Sequence, residues 1–205
     1  MSAKPGEMAL MMASQRLNEE PASAQACLLA QAKTGDARAF EEIMIQHERQ
    51  VLMTAWRLLG HLHDAQDAAQ EVFLRLYKYL NRFDETRRLS PWLYRMTVNV
   101  CRDMVRKRQS AAVLSLEEIP DEEIPDPVDS QEMISLAQQR RMMAEGLKRL
   151  SEKERAALVL RDIEGLSTKE VARVLGSSEM TVRSQVSRAR VKMKKFIDRA
   201  LRREI

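Results

Sequence analysis

Leu166-Ser-Thr-Lys-Glu-Val-Ala-Arg-Val-Leu-Gly-Ser-Ser-Glu-Met-Thr-Val182 is the stretch whose reading decides the fold. A short amphipathic helix here turns Val171, Val174 and Leu175 inward. Ala172 is small where a second helix must cross closely, and Gly176, four residues on, supplies a turn that tolerates positive φ. Val182, six further, returns a β-branched side chain to the same core. Small residue, glycine and β-branched apolar residue at those offsets make the signature of a helix-turn-helix, whose second helix enters the major groove.

The second helix carries a matching face. Val182, Val186, Ala189 and Met193 form one buried stripe at i, i+4, i+7, i+11. One residue on, Arg183, Ser187, Arg190 and Lys194 repeat the offsets, about 100° around a helix of ~3.6 residues per turn. Thr181, Gln185, Arg188 and Lys192 flank the other side. Arginine forks onto guanine, and serine or threonine reaches phosphates and base edges. A plain solvated basic helix is the competing account, and the turn signature weighs against it.

Outward from this motif, helix punctuation runs through the chain. Asp36 precedes a helix from Ala37 to Leu59 that ends at Gly60, and Asp64 opens a run to Leu80. Ser90-Pro91 reads as a capping serine with proline at the first helical position of a helix to about Arg108. Ser151 with Glu154, and Ser167 with Glu170, match the capping box. Gly165 and Gly176 stand where C-terminal glycines belong. No stretch alternates at period two, so the expected fold class is all-α. Between 111 and 130 lie Pro120, Pro125 and Pro127 among many acids, the composition of an extended linker. The expected organisation is a mobile tail over 1–21, a helical domain over 22–110, an acidic linker over 111–130 and a helix-turn-helix domain over 131–205.

Charge is split along the same division. Residues 1–110 hold 16 Lys/Arg against 13 Asp/Glu, residues 111–132 none against 8, and residues 133–205 18 against 9. A strongly basic block fits a polyanionic partner. Aromatic residues are only 4% of the 205, which suits helices better than sheets. Cys27 and Cys101 form no CxxC pair, as in a reducing cytoplasm. No apolar run approaches the ~20 residues of a membrane span, and no leader-like core precedes a cleavage site. The protein is therefore expected to be cytoplasmic.

Two further helices bear candidate sites. Pro91–Arg108 sets an apolar stripe of Leu93, Met96, Val100 and Met104 opposite a polar line of Arg95, Asn99, Arg102 and Arg106. Arginines with one asparagine suit a nucleic-acid backbone plus a base-edge contact. The preceding loop holds Phe83, Arg87 and Arg88, which could wall a pocket for an unstacked base. On the helix before it, Asp64, Asp67 and Glu71 share a face at i, i+3, i+7 with Gln70 beside it; alone, that spacing fits either a solvated helix or one docking a basic partner.

Together these residues resemble a family. Asp64-Ala-Gln-Asp-Ala-Ala-Gln-Glu-Val-Phe73 resembles the polymerase-binding helix of extracytoplasmic-function sigma factors, and Pro91-Trp-Leu-Tyr-Arg-Met-Thr-Val-Asn-Val100 their promoter-opening helix. Leu150 to Arg161, with Gly165 to Arg190, resembles their −35-reading domain. The resemblance implies that Asp64, Asp67, Gln70, Glu71 and Phe73 contact core RNA polymerase. It implies −10 DNA contacts from Phe83, Arg87, Arg88, Arg95, Asn99, Arg102 and Arg106, and −35 contacts from Thr181, Arg183, Ser184, Ser187 and Arg188. It implies an anti-sigma protein as a further partner, and a linker that imitates a phosphate chain along the polymerase's RNA path. Gln66, where the family often carries an acid, and Asp103 among the arginines depart from the pattern.

The expected function is promoter recognition and DNA opening with core polymerase, by a chain that is not an enzyme and needs no cofactor or metal. There is no GxxxxGK[ST] loop. Its main rival is a stand-alone helix-turn-helix regulator binding a palindrome. An enzyme reading would rest on His61-Leu-His63 beside Asp64, a pair more simply hydrated, and a protein-only helical adaptor is the blandest alternative.

Overall fold

Asp36 shows how local chemistry sets the helices: its carboxylate accepts from the amides of Arg38 (2.9 Å) and Ala39 (3.3 Å), satisfying donors that a helix start leaves open. The computed structural model describes residues 22–85, 87–111 and 141–202, and all regular structure among them is helical. The expected tail and the acidic linker beyond Ala111 lie outside the described residues. In chain order the helices are α1 (Ala22–Lys33), α2 (Ala37–Leu59), α3 (Leu62–Tyr79), a 3₁₀ turn (Leu80–Arg82) and α4 (Leu89–Ala111). Then come α5 (141–148), α6 (Glu152–Leu158) running into a π turn (Val159–Ile163), α7 (Thr168–Leu175) and α8 (Glu179–Leu201).

The expected terminators operate. Gly60 adopts φ +83° and closes α2 through its amide to Trp56. Gly176 at φ +62° ends α7 in the left-handed region that side chains avoid. Both capping boxes form, Ser151 with Glu154 and Ser167 with Glu170. Two starts differ from expectation. α3 begins at Leu62 after His61, so Asp64 lies inside the first turn, where its carboxylate binds Arg108 instead of capping. α4 begins at Leu89, which places Pro91 within the first turn, still among amides that need no helical acceptor.

Two apolar clusters hold these elements. The first unites α1 to α4 around Leu29, Ile43, Val51, Val72, Leu76, Leu89 and Leu93. The second unites α5 to α8 around Leu147, Leu160, Val171, Val182 and Ala189, and it takes in Tyr94 and Val98 from α4. α4 is thus buried on two sides, one in each cluster. A fully buried Val or Leu contributes about 1.5–3 kcal/mol, so the second cluster is completed at a sizeable gain by the first half of the chain. Among the described residues no helix is long and apolar enough to cross a membrane.

Candidate nucleic-acid interface

α8 assembles its face as the periodicity requires. Val182, Val186, Ala189 and Met193 are all buried, which turns Thr181, Arg183, Ser184, Ser187 and Arg188 to the surface. Ser178 caps the helix by accepting from the Thr181 amide at 3.1 Å, so the first turn of α8 is fixed. Arg183 donates to Glu179 at 3.2 Å, and Arg188 to the Ser184 hydroxyl at 2.9 Å. Arg190 is committed elsewhere: its guanidinium forks onto Asp162 with two bonds of 2.7 Å, which raises its pKa above the ordinary arginine value. Periodicity in polar residues does not single out Met180, the second residue of α8 and 77% exposed. An apolar side chain there has the chemistry to meet a thymine methyl group.

α4 and its preceding loop divide. Arg87, Arg88, Arg95, Asn99 and Arg106 are exposed. Arg87 pairs with Asp84 at 3.1 Å, and Arg106 pairs with Asp103, which also sits 3.5 Å from Arg75. Arg102 is half-buried and donates to Glu152 of α6 at 3.0 Å. Phe83 is only 7% exposed and stacks on Trp92 at 4.9 Å, so it packs in the first core with no open face. Its carbonyl accepts from Lys33 at 2.6 Å, tying the loop to α1. Arg95, Asn99 and Arg106 therefore reach the surface, while Arg102 is held against α6 and Phe83 is buried.

On α3 the outward residues are Asp67 and Gln70, with Glu71 half-exposed and bonded to Arg75 at 2.6 Å. That bond is the main reason the Arg75 pKa is raised. Asp64 is 9% exposed and Phe73 7%, because both face inward where α3 meets α2 and α4. Two residues missed by an acid-counting reading share the outer face: Leu74 (66% exposed) and Tyr77 (67%). They stand at i+4 and i+7 from Gln70. Tyr77 is braced edge-on by Phe40 at 5.1 Å. The signal for them is the buried set Ala65, Ala68, Val72 and Leu76, which puts Leu74 on the opposite side of the helix. No group of three metal-ligating side chains gathers among the described residues; His63 lies exposed, 3.9 Å from Asp67.

Comparison with known proteins identifies the family. Residues 43–111 match Sigma-70 region 2, and residues 140–193 match Sigma-70 region 4. The chain is 31% identical over 180 residues to the ECF RNA polymerase sigma factor SigW of Bacillus subtilis, covering 82% of this chain and 93% of that one. It is 32% identical over 171 residues to the ECF sigma factor SigM of Mycobacterium tuberculosis, covering 83% of each. Among solved structures, CnrH in complex with the cytosolic domain of CnrY has a TM-score of 0.63 at 29% identity, over 85% of this chain and 97% of that one. RpoE from Bartonella quintana, solved with the anti-sigma factor NepR, has a TM-score of 0.65 at 21% identity, a likeness of fold. With both sigma regions present in order and a relative above 30% identity matched along nearly its whole length, the chain belongs to the ECF sigma factors of RNA polymerase.

Proposed function

We propose that this protein is an alternative sigma factor that docks on core RNA polymerase through α3, reads and opens the −10 element with α4, and reads the −35 element with α8. What supports the reading is the presence, on one chain, of three separate outward faces in that order. The α3 face carries Asp67, Gln70 and Glu71 together with Leu74 and Tyr77. Charged groups steer encounter and register, while a central apolar pair supplies the desolvated contact that holds an interface. Phe73 and Asp64 act from beneath, Phe73 by packing and Asp64 by fixing Arg108 at the far end of α4.

At the −10 element, Asn99 offers both donor and acceptor to a base edge, with Arg95, Arg102 and Arg106 along the backbone and Arg87 and Arg88 on the approach. Phe83 stacked on Trp92 supports the loop that any unstacked base would enter. At the −35 element, the N-terminal half of α8 presents Thr181, Arg183, Ser184, Ser187 and Arg188 to the major groove. Each half alone binds DNA weakly and with steep salt dependence, and anchoring both on one polymerase multiplies their effect. The factor acts by binding, with no reaction of its own, in the cytoplasm where its polymerase is. CnrH was solved with the cytosolic domain of CnrY, and an anti-sigma protein is the corresponding partner proposed here.

Association of the full chain with purified core polymerase, followed by gel filtration and titration, tests the docking step. Wild type should co-elute with core, and Leu74→Ala should weaken association about tenfold or more, as truncation of a central anchor does, without altering the thermal melt. Failure of wild type to associate, or indifference to both Leu74→Ala and Asp67→Ala, would contradict it.

A further inference from the structure

Val182, Val186, Ala189 and Met193 fix which side of α8 looks inward, since all four are buried. Met180, Ser184, Ser187 and Val191 repeat the same spacing two residues earlier, which is about 200° around the helix. All four are exposed, Met180 at 77% and Val191 at 53%. They form the outermost line of α8, and exposed Arg183 and Arg188 stand to either side of it. Of the exposed large apolar side chains among the described residues, Met180 is the most open; Tyr77 and Leu74, next in order, belong to the α3 face.

Met180 is the second residue of α8, and the backbone around it is held in place. Ser178 accepts from the Thr181 amide at 3.1 Å, and the two hydroxyls share a bond of 2.8 Å. Glu179, the first residue, is taken by Arg183 at 3.2 Å, so its carboxylate is paired where a phosphate would approach. Behind Met180 on the outer line come two serines, small enough to let the helix lie close to a surface. Val191 stands about 16 Å further along the axis, beyond the first turns with which a recognition helix meets base edges. A methionine chain is unbranched and moulds itself to an irregular apolar surface. The apolar group that a base edge offers in the major groove is the 5-methyl of thymine.

We propose that Met180 is a specificity-determining residue of the −35 contact, closing on the 5-methyl group of one thymine, with Ser184 and Ser187 giving the clearance that lets it reach. The inference deepens the −35 reading proposed above and rests on it. Arg183 is three residues on, about 4.5 Å along the axis, close to the roughly 3.4 Å between successive bases of a strand. The two side chains therefore address neighbouring base pairs. They divide the work: the arginine contributes charge, which salt weakens, and the methionine contributes a choice of base, which salt leaves alone.

Binding of promoter fragments by the holoenzyme, full chain with core polymerase, tests this. Each thymine of a mapped −35 element, on either strand, is replaced in turn by uracil, which deletes the methyl group and nothing else. Wild type should lose about fourfold in affinity at one position, the equivalent of one methyl group leaving an apolar contact. That loss should persist as salt is raised. Met180→Ala should be indifferent to the same replacement, while Met180→Leu keeps most of the preference. Arg183→Ala should bind weakly throughout and still tell thymine from uracil. Indifference of wild type to uracil at every position, or a Met180→Ala holoenzyme that still prefers thymine, would overturn the proposal. So would weaker association of Met180→Ala with core polymerase in the absence of DNA, which would make Met180 a protein contact. Scrambling the whole −35 element separates the two claims. A holoenzyme indifferent to scrambling defeats the −35 reading itself, whereas one that needs the element but ignores every methyl group defeats only the role of Met180.

Discussion

Glu154 shows how much a single side chain carries here. It is 6% exposed, accepts from Lys192 at 2.7 and 3.0 Å, and accepts from the Ser151 amide at 3.1 Å. It therefore caps α6 and pins α8 to it in one contact. The Lys192 bond, more than any other cause, holds its carboxyl below the ordinary value of 4.5. A carboxyl with a lowered folded pKa adds stability that is present above the unfolded value and lost as pH falls through the folded one. Glu154→Gln should cost about 1–2 kcal/mol at neutral pH. In melts taken from about pH 6 down to about pH 3, the gap between variant and wild type should shrink as the wild type loses its advantage. A gap constant across that range would show that the charge contributes nothing.

Among the elements, those specified by near neighbours in sequence are the most legible. Ser167 and Glu170 are three residues apart and satisfy each other's amides, with bonds of 3.2 and 2.8 Å. Ser167→Ala should therefore lower stability by about 1 kcal/mol, read as an earlier thermal transition, while Ser167→Asp retains most of it. An unchanged melt for the alanine variant would remove the cap from the account. Legibility falls where the partner is distant. His61 offers no typical capping signal, so the sequence pattern starts α3 two residues late, and Asp64 finds Arg108, 44 positions away. Phe73 and Leu74 are adjacent apolar residues, and only the packing of α3 on α2 and α4 decides which one is left outside. Glu164 cannot be read from the sequence at all: its donors lie 70 to 110 residues earlier, and nothing local marks a π turn.

At the scale of the whole molecule, two apolar clusters share α4, whose Tyr94 and Val98 complete the second one beside the polar contacts of Glu164 and Arg155. The all-α class and the helix-turn-helix are readable because hydrophobic periodicity and turn residues are local properties. The proposed division into domains at 22–110 and 131–205 is compatible with the two clusters, but the burial of Tyr94 and Val98 in the far one is a tertiary fact with no sequence signature. The central claim is that α4 and α8 together direct core polymerase to a two-part promoter. Transcription by purified core polymerase on fragmented genomic DNA, with and without the full chain, tests it most directly through the mapped RNA starts. New starts should cluster downstream of one shared two-part sequence, Arg183→Ala should reduce them about tenfold or more through the −35 part, and Asn99→Ala should weaken them at the −10 part. No new starts, or starts that ignore both substitutions, would contradict the account.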